Sequence, residues 1–238
     1  MKTLGLIGGT GWVSTVDYYR IINKEINARL GGLCSAKMIL YSVNQQELRP
    51  ATDEPGLSEF ASYITGIAKR LESAGADGLI LCANTTHLVA DIVQQNIGIP
   101  IIHIADVTGR AILNLNMKTV GLLGTKITME HAFYRDRLKN LGITTLVPYQ
   151  TQREYIQRTI MTELELAILK EETRRKYLEI ANSLVSGGAE GIVLGCTEIP
   201  LLVKQSDCNV PVFDTTTLHA MAAVEFALSD EKMTRGSR

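Results

Sequence analysis

Gly75-Ala-Asp-Gly-Leu-Ile-Leu-Cys-Ala-Asn-Thr85 and Gly188-Ala-Glu-Gly-Ile-Val-Leu-Gly-Cys-Thr-Glu198 are two versions of one string. Laid over one another at a spacing of 113 residues, they match in residue type at most positions through Leu81 and Leu194. The flanks follow the same scheme. Leu4-Gly-Leu-Ile-Gly8 resembles Val120-Gly-Leu-Leu-Gly124, and Ile99-Pro-Ile-Ile102 resembles Val210-Pro-Val-Phe213. Landmarks recurring in one order indicate an internal duplication, and a repeat of about 110 residues lies within the usual size of a domain. A chain of 238 residues holds two such copies.

Each copy reads as strand, helix, strand, helix, strand. Residues 3–7, 38–43, 78–82 and 100–104 are short apolar runs bounded by Gly, Pro or Asn, the pattern of strands buried on both faces. Their counterparts are 119–123, 144–147, 191–195 and 211–213. Ser14 to Leu30 carries Tyr18, Ile21, Ile22, Ile26 and Leu30 near one helical face, and Ser58 to Ala74 does likewise with Ile64, Ile67, Ala68 and Leu71 before stopping at Gly75. Alternating strands and helices with short connections predict an α/β protein: two pseudo-symmetric domains, each a parallel sheet flanked by helices.

Composition narrows the function classes. Lys and Arg total 24 against 25 Asp and Glu, with no basic stripe, which argues against nucleic acid as a partner. The Arg174-Arg175-Lys176 cluster sits beside Glu171 and Glu172 and reads as a solvated helix face. No apolar run approaches the ~20 residues that span a bilayer, and the N-terminus lacks a signal-like apolar region, so no membrane partner is expected. Cys34, Cys82, Cys196 and Cys208 form no CxxC pair and, with the four histidines, no zinc spacing. A cytoplasmic protein with reduced thiols is the expectation. The tail from Met233 to Arg238 is set aside as a frayed end.

In parallel α/β sheets ligands sit at the carboxyl ends of the strands. The residues directly after the buried runs are Gly8-Gly9-Thr10-Gly11, Ala83-Asn84-Thr85, Gly124-Thr125-Lys126 and Cys196-Thr197-Glu198. Two facing copies would bring the second and fourth sets to opposite walls of one active-site cleft. Gly5-Leu-Ile-Gly8-Gly9-Thr-Gly11 misses the GxGxxG spacing of a dinucleotide fingerprint, and Gly121-Leu-Leu-Gly124-Thr-Lys126 misses that of a phosphate loop. Free backbone N–H groups at such turns still suit a carboxylate or a phosphate.

Cys196 stands out among the cysteines. A lone cysteine is more often a small buried hydrophobe than a nucleophile. This one follows a buried strand and precedes a helix expected to open at Thr197-Glu-Ile-Pro200, a setting that would stabilise the thiolate. Cys34 and Cys208 have no such company. His87 could orient a substrate or cap a helix, while His103 and His219 read as packing or surface residues.

The strings Ile7-Gly-Gly-Thr-Gly-Trp-Val-Ser-Thr15 with Tyr18-Tyr19, Asn84-Thr85-Thr86-His87 and Gly195-Cys-Thr-Glu198 resemble the aspartate/glutamate racemase superfamily, in its aspartate racemase and broad-specificity amino-acid racemase branch. The likeness runs from Met1 to about Leu228. It implies no cofactor (neither pyridoxal phosphate nor a metal), a homodimer, and an exchange of chain ends. The first domain would then comprise 1–98 plus 208–238 and the second 99–207.

The resemblance further implies a racemase of aspartate, glutamate or a related amino acid that removes the Cα proton on one face and returns one on the other. Members use two cysteines, one as thiolate base and one as thiol acid, and a thiol suits this work because its reference pKa lies within two units of neutrality. Cys196 is the catalytic candidate. Thr10, Asn84, Thr85, Thr125 and Thr197 are expected around the α-carboxylate, as hydrogen-bond donors to the developing negative charge. Arg49 matches a position that binds the distal carboxylate, although an exposed loop arginine is the alternative.

The chain departs from the family pattern in two places. The repeat pairs Cys196 with Ala83, and Cys82, one residue earlier, would point to the opposite side of the strand. The register of a lysine that some aspartate racemases use falls near Leu166. Three readings therefore stand: a racemase in which water, a rotated Cys82 or another group serves the second face; a one-cysteine decarboxylase or isomerase relative with Cys196 as proton donor; and a non-catalytic amino-acid-binding protein.

Overall fold

The computed structural model describes residues 1–48 and 56–229. The chain divides into two compact units, Met1–His103 with the residues from His219 onward, and Ile104–Leu218.

In the first unit the elements are β1 (Leu4–Gly8), α1 (Trp12–Leu30), β2 (Met38–Ser42), α2 (Gly56–Ser73), β3 (Gly78–Leu81), a 3-10 turn (Thr85–Val89) and α3 (Ala90–Gln94). The strands form a parallel sheet in the order β2-β1-β3, with Leu4 opposite Met38 on one side and Gly78 on the other. β1 and β3 are buried at every position, so both sheet faces are covered, as their uninterrupted apolar runs require. On one face pack α2, the 3-10 turn and α3, through Ile64, Ile67, Leu71, Val89 and Val93. Tyr18, Ile22 and Ile26 of α1 pack on the other, with Ala220, Ala223, Val224 and Ala227. Those last four belong to α10 (Thr215–Ala227). Each fully buried Leu or Ile contributes about 1.5–3 kcal/mol, so two apolar layers are ample to hold a short three-stranded sheet.

The second unit repeats the plan. It contains α4 (Ile104–Asn114), β4 (Thr119–Gly124), α5 (Lys126–Glu130), α6 (Ala132–Asn140), β5 (Thr144–Leu146) and α7 (Gln150–Thr162). A 3-10 turn (Leu164–Leu166), α8 (Glu171–Ser186), β6 (Gly191–Gly195), α9 (Ile199–Leu202) and β7 (Val212–Asp214) follow. The parallel sheet runs β5-β4-β6-β7. Its core gathers Leu122, Leu123, Ile192, Val193 and Leu194 from the strands with Ile156, Ile160, Tyr177 and Ile180 from the helices.

The duplication extends to side chains. The Asp77 carboxylate accepts from the Thr3 N–H at 2.6 Å, and Glu190, its repeat partner, accepts from Lys118 and Thr119 N–H at 2.7 and 2.8 Å. The Gln94 amide donates to the Ile99 carbonyl and accepts from the Ile101 N–H. Gln205 does the same to the Val210 carbonyl and the Val212 N–H. Each glutamine satisfies two backbone groups at the edge of its sheet.

Two expectations need correction. Residues 100–104 do not form a full strand: Leu79 and Ile101 make one isolated parallel bridge, and Ile104 already begins α4. Pro100 has no N–H to extend the ladder, and the Gln94 amide takes the Ile101 N–H. The units also divide later than 98 and 207. The Leu79 N–H donates to the Pro100 carbonyl and the Ile102 N–H to the Leu79 carbonyl, which keeps the chain on the first sheet through His103. β7 pairs in parallel with β6, which keeps it on the second sheet until α10.

Candidate active site

In the first unit β1 and β3 are neighbours, so the loops carrying Thr10 and Ala83-Asn84-Thr85 leave the same sheet edge from adjacent strands. Gly9 and Gly11 both have positive φ, 85° and 130°, and an added Cβ at Gly9 would collide with the Val43 backbone. Thr15 locks this turn: its Oγ1 accepts the Gly9 N–H at 2.9 Å and donates to the Gly11 carbonyl at 3.0 Å. The Gly9 N–H is therefore committed inside the loop rather than presented to an anion. Thr10 Oγ1 is buried without a hydrogen-bond partner among the described residues, which leaves its hydroxyl available for a ligand atom. Asn84 is buried, and Thr85 opens the 3-10 turn half-buried.

Three imidazoles lie behind this loop. His87 Nδ1 donates to the Ala83 carbonyl at 2.9 Å, and its ring packs on His103 with centroids 4.6 Å apart and on His219 with centroids 5.5 Å apart. His219 Nε2 donates to the Ile102 carbonyl at 2.6 Å, so its Nδ1 is the acceptor of the Tyr18 hydroxyl at 2.8 Å. Burial pushes the His219 pKa down to about 4, which favours this neutral tautomer near pH 7. His103 and His219 are packing residues, as expected. His87 spends Nδ1 on the backbone at the end of β3, a role the sequence did not disclose.

In the second unit β4 and β6 are paired, with Gly124 opposite Gly195, so Thr125 and Cys196 follow register partners. A Cβ on Gly124 would lie 2.7 Å from the Gly195 carbonyl oxygen, which explains glycine at this approach. Thr125 caps α5, its Oγ1 accepting the Thr128 N–H at 3.3 Å and pairing with Thr128 Oγ1 at 3.0 Å. Cys196 is 5% exposed and Glu198 2% exposed. The Cys196 thiol donates to Glu198 Oε2 at 3.1 Å, and Thr197 Oγ1 donates to the same oxygen at 2.9 Å. Glu198 Oε1 is buried with no hydrogen-bond partner among the described residues.

The expected thiolate setting at Cys196 is overturned. Burial raises the thiol well above its ordinary pKa, and the charge of Glu198 raises it further. The helix thought to open at Thr197 begins at Ile199 and is four residues long, too short for aligned peptide dipoles to offset either effect. Glu198, the acidic partner, was visible in the sequence only as a carboxylate two positions after the cysteine.

Cys82 lies in the apolar cluster formed by β1, β3, α1 and α10, with Leu6, Ile80, Tyr18 and Ala220. Burial raises its pKa, and its Sγ lies 3.9 Å from the Ile80 carbonyl oxygen. It therefore faces the core, as the strand period implies. Ala83, 7% exposed, holds the position equivalent to Cys196. Cys34 is exposed and Cys208 half-buried. Arg49 lies outside the described residues. Leu166, at the end of the 3-10 turn beside α8, is 61% exposed. Among the described residues no group of three or more His, Cys, Asp or Glu side chains is arranged to hold a metal ion, and no helix is long and apolar enough to cross a membrane.

Comparison with known proteins gives a consistent result. Residues 7–223 match the model of the Asp/Glu/hydantoin racemase family. The crystal structure of an Asp/Glu racemase candidate from Yersinia pestis is 46% identical, covers 96% of this chain and 100% of its own, and superposes with a TM-score of 0.88. An aspartate racemase homologue from Pyrococcus horikoshii is 36% identical over 95% of this chain and 99% of its own, with a TM-score of 0.80. The broad-specificity amino-acid racemase RacX of Bacillus subtilis is 26% identical over 72% of this chain and 74% of its own length. With the duplicated parallel sheets and the Gly-Cys-Thr-Glu loop after β6, these matches establish that the chain belongs to the Asp/Glu/hydantoin racemase family.

Proposed function

We propose that the protein is a cofactor-independent racemase of aspartate, glutamate or a related amino acid, and that Cys196 exchanges the Cα proton on one face. The observation that carries this reading is the buried Cys196 thiol, hydrogen-bonded to Glu198 on the loop that follows β6, next to the Thr125 loop on the paired strand. A proton-transfer group is effective when it is positioned and shielded from bulk water. Thr125 and Thr197 in the second unit, with Thr10, Asn84 and Thr85 in the first, are the proposed donors to the α-carboxylate, where negative charge grows as the proton leaves. Arg49 completes the proposed set as the partner of a distal carboxylate. The names of the relatives support an amino-acid substrate without choosing among side chains. The same reading carries a homodimer and a cytoplasmic setting.

A second reading is favoured by one feature: alanine occupies position 83, and Cys82 is turned into the core. With a single thiol, the protein would act from one side, as a decarboxylase or isomerase whose Cys196 protonates a carbanion. Incubation with a panel of L- and D-amino acids, followed by chiral separation, separates the two. Inversion of aspartate, glutamate or another amino acid supports the racemase. Carbon dioxide release from a substituted malonate without inversion supports the one-sided enzyme. Saturable binding without turnover would leave an amino-acid-binding protein and overturn both.

A further inference from the structure

Two donors converge on one oxygen of Glu198: the Cys196 Sγ–H at 3.1 Å and the Thr197 Oγ1–H at 2.9 Å. Both contacts make Oε2 an acceptor, and the sulfur one of its two donors. The sulfur–oxygen distance is short beside the 3.9 Å of the other buried thiol, Cys82, to its carbonyl. Among the described residues, the ionisable groups named beside the sulfur add no positive charge. They are Glu198 on its own loop, Glu165 on the Leu164–Leu166 turn and Tyr177 on α8, whose hydroxyl is engaged with Thr159 Oγ1 at 3.0 Å and the Ile156 carbonyl at 3.2 Å.

We propose that Glu198 is a positioning residue that, by accepting the Cys196 Sγ–H, holds that proton on the sulfur and makes the resting form a thiol that donates. This rests on the assignment of Cys196 as the proton-transfer group. In the donating step the lone pair of a Cα carbanion takes the S–H proton and forms the new C–H bond. The S–H electron pair remains on sulfur as thiolate, which then takes a proton back from water. The opposite role for Glu198, a general base that strips the thiol to activate it, predicts the reverse effect of neutralising the carboxylate.

The test follows thiolate formation at Cys196 by ultraviolet absorbance as pH is raised, with Cys196→Ser as the blank that removes the other three thiols from the difference. In the unaltered protein Cys196 stays a thiol above the ordinary thiol pKa of about 8.5. Glu198→Gln keeps the shape and removes the charge, and it lowers the inflection by about one pH unit or more, because a like charge in direct contact no longer opposes ionisation. An inflection that stays put or moves up in Glu198→Gln overturns the proposal, as does a thiolate already formed at neutral pH in the unaltered protein. That second result needs only the Cys196→Ser blank and decides the matter even if Glu198→Gln does not fold. Because the readout is ionisation, absence of racemase activity would count against the proposed function and leave this result standing.

Discussion

Cys196 and Glu198, two residues apart on the loop after β6, form a thiol-to-carboxylate hydrogen bond of 3.1 Å with both side chains out of solvent. The contact sets the sulfur in its protonated form, because burial and a neighbouring negative charge both oppose thiolate. A thiol in that state is ready to give a proton, and once it has done so the thiolate left behind is a strong base. At the repeat-equivalent position on the first sheet stands Ala83.

Ala83→Cys places a thiol at the repeat-equivalent position of Cys196. A positioned acid or base is typically worth about 10²–10⁴ in rate. Turnover by a racemase lacking that group should therefore rise at least tenfold in the variant, measured by chiral separation from each enantiomer in turn. Unchanged turnover in both directions would remove the equivalence of the two positions.

His219 predicts a stability change below neutral pH. Its folded-state pKa is depressed to about 4, against about 6.5 when unfolded, so the unfolded chain binds the proton first as pH falls. Its contribution is complete above pH ~6.5 and is lost progressively toward pH ~4, about 3 kcal/mol in all by linkage. His219→Gln keeps an amide N–H for the Ile102 carbonyl but does not titrate. Urea midpoints between pH 7 and 4.5 should fall steeply for the unaltered protein and less steeply for the variant. Parallel curves would contradict the assignment.

How much of this was legible in the sequence depends on what each residue answers to. The duplicated strings Gly75–Thr85 and Gly188–Glu198 located β3 and β6, because strands buried on both faces must be apolar throughout. Ile64, Ile67, Ala68 and Leu71 were readable as one helix face for the same reason of period, and all are buried in α2. The strand after Gly98 was not, since whether Ile99–Ile102 extends a ladder depends on Pro100 and on the Gln94 side chain arriving from an earlier helix. The site divides likewise. That Cys196 directly follows β6 was legible from the buried run before it. The state of its proton was not, because that depends on burial and on a rotamer of Glu198.

Gly124 tests the close approach that places Thr125 beside Cys196. An added Cβ would meet the Gly195 carbonyl oxygen at 2.7 Å, and backbone cannot turn aside as a flexible side chain can. Gly124→Ala should cost about 1–3 kcal/mol, by analogy with other overpacked interiors, and it should also lower turnover through displacement of the two loops. Equilibrium denaturation and steady-state kinetics check both, and an unchanged midpoint would show that the paired strands separate without cost.

Proton exchange at Cα tests the central assignment most directly. The unaltered protein and Cys196→Ser are incubated with L- and D-aspartate and L- and D-glutamate, then with other amino acids, in heavy water. Loss of the Cα proton signal is followed by NMR. The unaltered protein should wash solvent deuterium into at least one amino acid, and Cys196→Ser, folded to the same helix content, should slow that exchange by about 10² or more. Deuterium incorporation at an undiminished rate in Cys196→Ser would contradict the account.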